Sequence, residues 1–350
     1  MFWHKLYKGY NWSKLVFTRQ GYDPLIDYLK GICIIFVIIN HCMPEIIIEK
    51  TGFYFWGVSA VPIFLIIQVF HAYKRGVEYA RTNYTKIWRK IILPFIMAEL
   101  VILVALIIRN HHFTFNYIFN DALSLIKSGG YGPGAYYPFI YLQFAFILPL
   151  ITWAFKSHKS YLCFVFVIIS QLSETACSYF QMPQLAYRLL FIRYIFLFYL
   201  GFLLAYKGFI LNLYTCCLAS VCLAFSIYMV YSHHDHTPFL YVFVNPVCHW
   251  FCYIYITFFL LFLMKEVFCH FESFKILRQY IMKAGIYSYE IFLFQIVYFA
   301  IADEYMDNIM QEHLPNYYIY NITKIILPII LCTIPVIIYK KEKLAWKQNS

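Results

Sequence analysis

The chain has 350 residues, 62% of them hydrophobic and 22% aromatic, with only 13% charged and a formal net charge of +11. Soluble domains carry about 25% charged residues, so this composition excludes an ordinary globular enzyme and points to an all-α integral membrane protein. The positive charge follows the loops between apolar runs, which leaves a nucleic-acid-binding reading unsupported.

Taken in chain order, apolar runs long enough for a roughly 30 Å hydrocarbon core predict a bundle of about ten transmembrane helices. Their bounds are 25–44, 54–72, 87–108, 134–155, 161–178, 188–206, 209–231, 239–264, 284–301 and 321–339. One membrane domain, 25–339, is expected between a segment 1–24 and a tail 340–350. The first run follows mostly polar and aromatic residues without a small-residue cleavage site, which argues against a cleaved signal peptide. With both termini cytoplasmic, most of the 28 Lys and Arg fall on the inner side, as the positive-inside rule expects.

The first run, IDYLKGICIIFVIINH, carries Asp27 and Lys30 at its foot and His41 near its far end. Asp27 and Lys30 are three apart and can pair on one helix face. Lys30 and His41 are eleven apart, which places them within about 20° of one face and roughly 16 Å along it. Histidine takes up and returns protons near neutral pH, so in a wet cavity His41 is a candidate general base for an acceptor hydroxyl. The same spacing also suits a histidine bonded to a neighbouring helix. Further along, Lys86, Arg89 and Lys90 either grip a phosphorylated donor or simply anchor a helix end. Glu99 and Glu290 stand within apolar runs, where a carboxylate is costly and faces a cavity or a partner. The segment 109–133 ends in a glycine-rich stretch, SGGYGPG, that runs into the fourth span.

Arg188 and Arg193 open the sixth run on the side where basic residues are scarce. Arg193 has apolar neighbours on both sides, so it pairs with a carboxylate, binds an anion or snorkels to headgroups. His233, His234 and His236 with Asp235 read as a hydrated turn, because their spacing fits no closed metal geometry. No metal site is expected, and the 11 scattered cysteines read as small buried hydrophobes.

These residues resemble the membrane-bound acyltransferase 3 family. Its first helix carries an aspartate, then a basic residue followed by glycine, and a histidine after ten intervening residues, matched here by Asp27, Lys30, Gly31 and His41. A basic pair ahead of a proline resembles Lys86 and Arg89 before Pro94. The glycine-rich turn resembles GPGAYY, and a late serine-aromatic helix resembles YSYEIFLFQ with Ser288, Glu290 and Gln295. The chain departs from the family in two places: VPIFLIIQVF, with Gln68, replaces a serine-glycine pair, and Gln295 stands where many relatives have histidine.

The resemblance implies an inner-membrane, multi-pass O-acyltransferase that moves an acetyl group from acetyl-coenzyme A to a hydroxyl of a cell-envelope or exported glycan. It implies His41, Glu290 and Gln295 as catalytic residues, and Lys30, Lys86, Arg89 and Arg193 as donor-binding ones. The implied partners are the lipid bilayer, a glycan or lipid-linked sugar acceptor, and polysaccharide-assembly proteins of the envelope. A multi-pass transporter of a small solute or glycan precursor is the alternative that the same polar residues allow.

Overall fold

The computed structural model describes residues 24–51, 53, 57, 60–75, 84–111, 113–155, 162–183, 186, 189–207, 213–231 and 246–349. Within them the chain is helical: α1 Pro24–Cys42, α2 Glu45–Thr51, α3 Ala60–Arg75, α4 Tyr84–Asn110, α5 Phe115–Ser128, α6 Tyr137–Phe155 and α7 Leu162–Tyr179. The helices that follow are α8 Phe196–Lys207, α9 Leu213–Tyr231, α10 Pro246–His270, α11 Lys275–Ile286, α12 Ser288–Ile301, α13 Asp303–His313 and α14 Tyr317–Asn349.

The all-α architecture stands, but the expected ten spans do not. Among the described residues, three helices are long and apolar enough to cross a membrane: α4, α6 and Tyr317–Lys340 of α14. The count is four if the bent pair α11 and α12 forms one span. The difference lies in helix continuity. The described part of the run expected at 54–72 includes α3, and the 188–206 run is divided into a 3-10 turn, Phe191–Tyr194, and α8. The run at 284–301 straddles an elbow, where α11 and α12 meet at 81°.

The three long helices turn apolar side chains outward: Met97, Val101 and Val104 on α4, Phe146 and Trp153 on α6, and Ile322 and Ile326 on α14 are all exposed. Such extended apolar surface is stable against lipid and unfavourable against water. The chain is therefore a multi-pass, membrane-associated protein.

The core gathers around α1, which packs against α3, α11, α12 and α14. Leu29, Cys33 and Ile38 of α1 are fully buried. The α1–α11 crossing is a backbone-to-backbone contact made possible by glycine. A Cβ added at Gly31 would overlap the Ile281 carbonyl oxygen, and one at Gly285 would overlap that of Asp27. Small residues at such crossings let two helices approach closely. Aromatic stacking closes the neighbouring layer, with Phe144 on Phe198 at 4.3 Å and Phe155 on Phe202 at 4.4 Å between ring centroids.

Candidate functional site

α1 presents Lys30, Ile34 and Val37 along one stripe to a cavity of about 210 Å³. Its other walls come from α3 through Phe64, Gln68 and His71, from α6 through Tyr137 and Tyr141, and from the elbow through Ser288 and Tyr289. The Gly31–Gly285 contact brings the elbow against the foot of α1, which is why Ser288 reaches the same space as Lys30. Asp27, itself buried, holds the Lys30 ammonium at 2.5 Å. Gln68 Nε2 donates to the Tyr141 carbonyl oxygen at 3.0 Å, fixing α3 to α6.

His41 does not line the cavity. It stands one turn beyond Val37 on the same stripe, edge-on to the Phe299 ring at 5.9 Å. Lys86 and Arg89 are exposed on the first turns of α4. Lys86 precedes and Arg89 belongs to a π-helical turn, Trp88–Ile92, whose Ile91 reaches the cavity wall. The turn has a local cause. Pro94 has no N–H to give the carbonyl four residues back, and the backbone relaxes into the wider hydrogen-bonding pattern. Tyr289 locks the arrangement by donating its hydroxyl to the Ile91 carbonyl at 2.6 Å.

Glu290 and Gln295 face elsewhere. Glu290 pairs with Lys340 of α14 at 2.5 Å. Gln295 is fully buried, and its Nε2 donates to the Pro133 carbonyl at 3.4 Å. Arg193 lies in the Phe191–Tyr194 turn, but its side chain is outside the described set. So are Arg188 and the cluster of His233, His234, Asp235 and His236.

The second polar locus is the glycine-rich turn after α5. Gly129, Gly130, Gly132 and Gly134 all have positive φ, a region where glycine alone carries no steric penalty. The turn is seated against Glu99, eleven residues or roughly 16 Å from the end of α4. Non-helical backbone at that depth is tolerated only inside protein, with its polar groups satisfied. Glu99 Oε2 accepts the Tyr131 N–H at 2.9 Å, and Gln295 reaches the Pro133 carbonyl from the opposite side. A Cβ at Gly130 would lie 2.7 Å from Glu99 Oε1. The carboxylate in the apolar run thus has a structural occupation.

A third cluster lies beyond His41. Asp307 accepts from Lys324 at 2.9 Å and from Tyr320 at 2.6 Å. Burial alone would raise its pKa, but these hydrogen bonds and the Lys324 charge outweigh it and hold the carboxyl below its ordinary value. Nearby Asp303 is shifted upward by burial and by Asp307, with Lys324 opposing.

Two residues escaped the sequence reading. His71 lines the cavity three residues after Gln68, and its signal was the spacing Val61, Phe64, Gln68, His71 along one helix face. Gln143 of α6 uses both ends of its amide on the Leu189–Phe191 segment, donating to the Leu189 carbonyl at 2.8 Å and accepting the Phe191 N–H at 3.2 Å.

A membrane-associated helical protein with a cation-bearing cavity beneath a histidine is the class that these observations define. The acyltransferase domain model of the acyltransferase 3 family matches residues 23–339, and the chain belongs to that family. No curated protein and no solved structure matches the chain. The family works in general with acyl-coenzyme A donors.

Proposed function

We propose that this chain transfers an acetyl group from acetyl-coenzyme A to a hydroxyl of a cell-envelope or exported glycan, with 25–339 as the acyltransferase domain. The observation that carries the reading is the α1 stripe: Lys30, Ile34 and Val37 in the cavity wall, and His41 one turn above. Lys30, anchored by Asp27, supplies fixed positive charge to the donor, and exposed Lys86 and Arg89, before and within the π turn, suit its phosphates. Arg193 is assigned to the donor side by family resemblance alone.

In this reading His41 takes the proton of the acceptor hydroxyl as its oxygen bonds to the thioester carbonyl carbon. The carbon–sulfur bond then breaks, and the proton passes to the departing thiolate. Glu290 and Gln295 contribute by position: Glu290 ties the elbow to Lys340, and Gln295 braces the glycine turn. An inner-membrane location and association with envelope polysaccharide-assembly proteins complete the proposal.

Purified full-length protein, labelled acetyl-coenzyme A and an envelope glycan fraction provide the test. His41→Ala is expected to lose at least about 100-fold in transfer, the lower range for general acid–base catalysis. Lys30→Ala is expected to raise the donor KM. Wild-type incorporation by His41→Ala would reject the role given to that imidazole.

A further inference from the structure

Gln68 is 8% exposed and lies in the cavity wall. Its Nε2 is committed to the Tyr141 carbonyl, which can only accept. This fixes the direction of the amide. Oε1 is left as a buried acceptor without a hydrogen-bond partner among the described residues. Such an atom costs about 1–3 kcal/mol while it goes unmet, and a group of this kind in a cavity wall is suited to a ligand that brings a donor.

The cavity restricts what that ligand is. At about 210 Å³ it is below the roughly 300 Å³ at which sites for whole drug-sized molecules begin. It therefore takes a slender part of a larger molecule. Ile34, Val37, Phe64, Ile67 and Phe292 make most of the wall apolar, with Lys30 the cation among the lining residues. A thin chain with alternating methylene and amide groups matches a wall in which these side chains alternate with the polar groups of Gln68, Tyr137, Tyr141 and Ser288.

We propose that the cavity receives the amide-bearing thiol arm of the acyl-thioester donor, and that one amide N–H of the arm donates to Gln68 Oε1. The proposal rests on the acyl-coenzyme A reading above and makes Gln68 a specificity-determining residue. A site built to pair one N–H discriminates strongly against an analogue that lacks it, because the acceptor is again left unmet.

The test measures binding, not transfer. Full-length protein in micelles is titrated with pantetheine and with an analogue whose cysteamine amide nitrogen is replaced by ester oxygen. Wild type is expected to bind pantetheine about tenfold or more tightly than the ester, tenfold being about 1.4 kcal/mol. Gln68→Met is expected to bring the two affinities together. Equal binding of both probes by wild type, or an unchanged ratio in Gln68→Met, overturns the proposal. Should Gln68→Met fail to fold, the wild-type ratio and its loss in the cavity-filling Val61→Trp decide the matter. Pantetheine carries no acyl group, so a tenfold ratio without acetyl transfer would sink the enzymatic reading and keep the subsite. Transfer without a ratio would do the reverse.

Discussion

At the glycine turn and at the Lys30 cavity, a glutamine enters an apolar helix bundle beside a charged residue, yet the two places use their polar atoms differently. Around the turn, Glu99 and Gln295 hold up backbone: one accepts from Tyr131 N–H, the other donates to the Pro133 carbonyl. At the cavity, Asp27 holds Lys30 at 2.5 Å and Gln68 holds Tyr141, while the lining residues keep about 210 Å³ of space open between them. Buried polarity in the first place replaces missing secondary structure. In the second it faces room for another molecule. A charged residue within an apolar run is therefore no guide to chemistry until the fate of its hydrogen bonds is known.

The largest expected effect breaks the frame that the cavity depends on. Gly285→Ala drives a methyl group into the Asp27 carbonyl, so α11 must separate from α1 and carry the elbow with it. Loss of folded protein in size-exclusion chromatography of membrane extracts is expected. A monodisperse variant with wild-type yield would show that the crossing yields easily.

An intermediate effect sharpens the contrast at the turn. Glu99→Ala leaves the Tyr131 N–H without its acceptor, which costs about 1–3 kcal/mol, whereas Glu99→Gln keeps an acceptor and restores most of it. Thermal unfolding of the two variants separates these outcomes. Equal midpoints would mean that the carboxylate does not hold the turn.

The smallest effect concerns the cluster beyond His41. Because Asp307 has a lowered pKa in the folded chain, its contribution is fully present above the ordinary Asp value of about 3.9. That contribution is lost as pH falls through the lower folded value. The stability gap between wild type and Asp307→Asn should therefore be steady at neutral pH and shrink only in acid. A gap that widened on acidification would reverse the sign assigned to this group.

The foot of α1 was legible in the sequence because its signals are local. Asp27 and Lys30 share a face by spacing, Gly31 follows at once, and the apolar run fixes the helix. The number of membrane-length helices was not legible. Hydropathy counts apolar residues without asking whether the backbone continues, and the 81° elbow at Tyr287 and the 3-10 turn that precedes α8 are tertiary outcomes. Glu99 could be flagged but not explained, since its partner is a backbone N–H that becomes available only when the glycine turn folds inward. Gln143 and His71 were missed for the same reason. Each matters through a neighbour distant in sequence, Leu189 for the first and the α1 wall for the second.

The widened turn at Trp88–Ile92 governs more than its own five residues. It works as an extra tooth in a ratchet: every position after it on α4 is rotated relative to Lys86 as compared with an unbroken helix. Deleting one residue there would turn the remainder of α4 by about 100°, swinging Glu99 away from the Tyr131 N–H while leaving Lys86 in place. The loose coil at one end of α4 thus sets the aim of a carboxylate two turns further along.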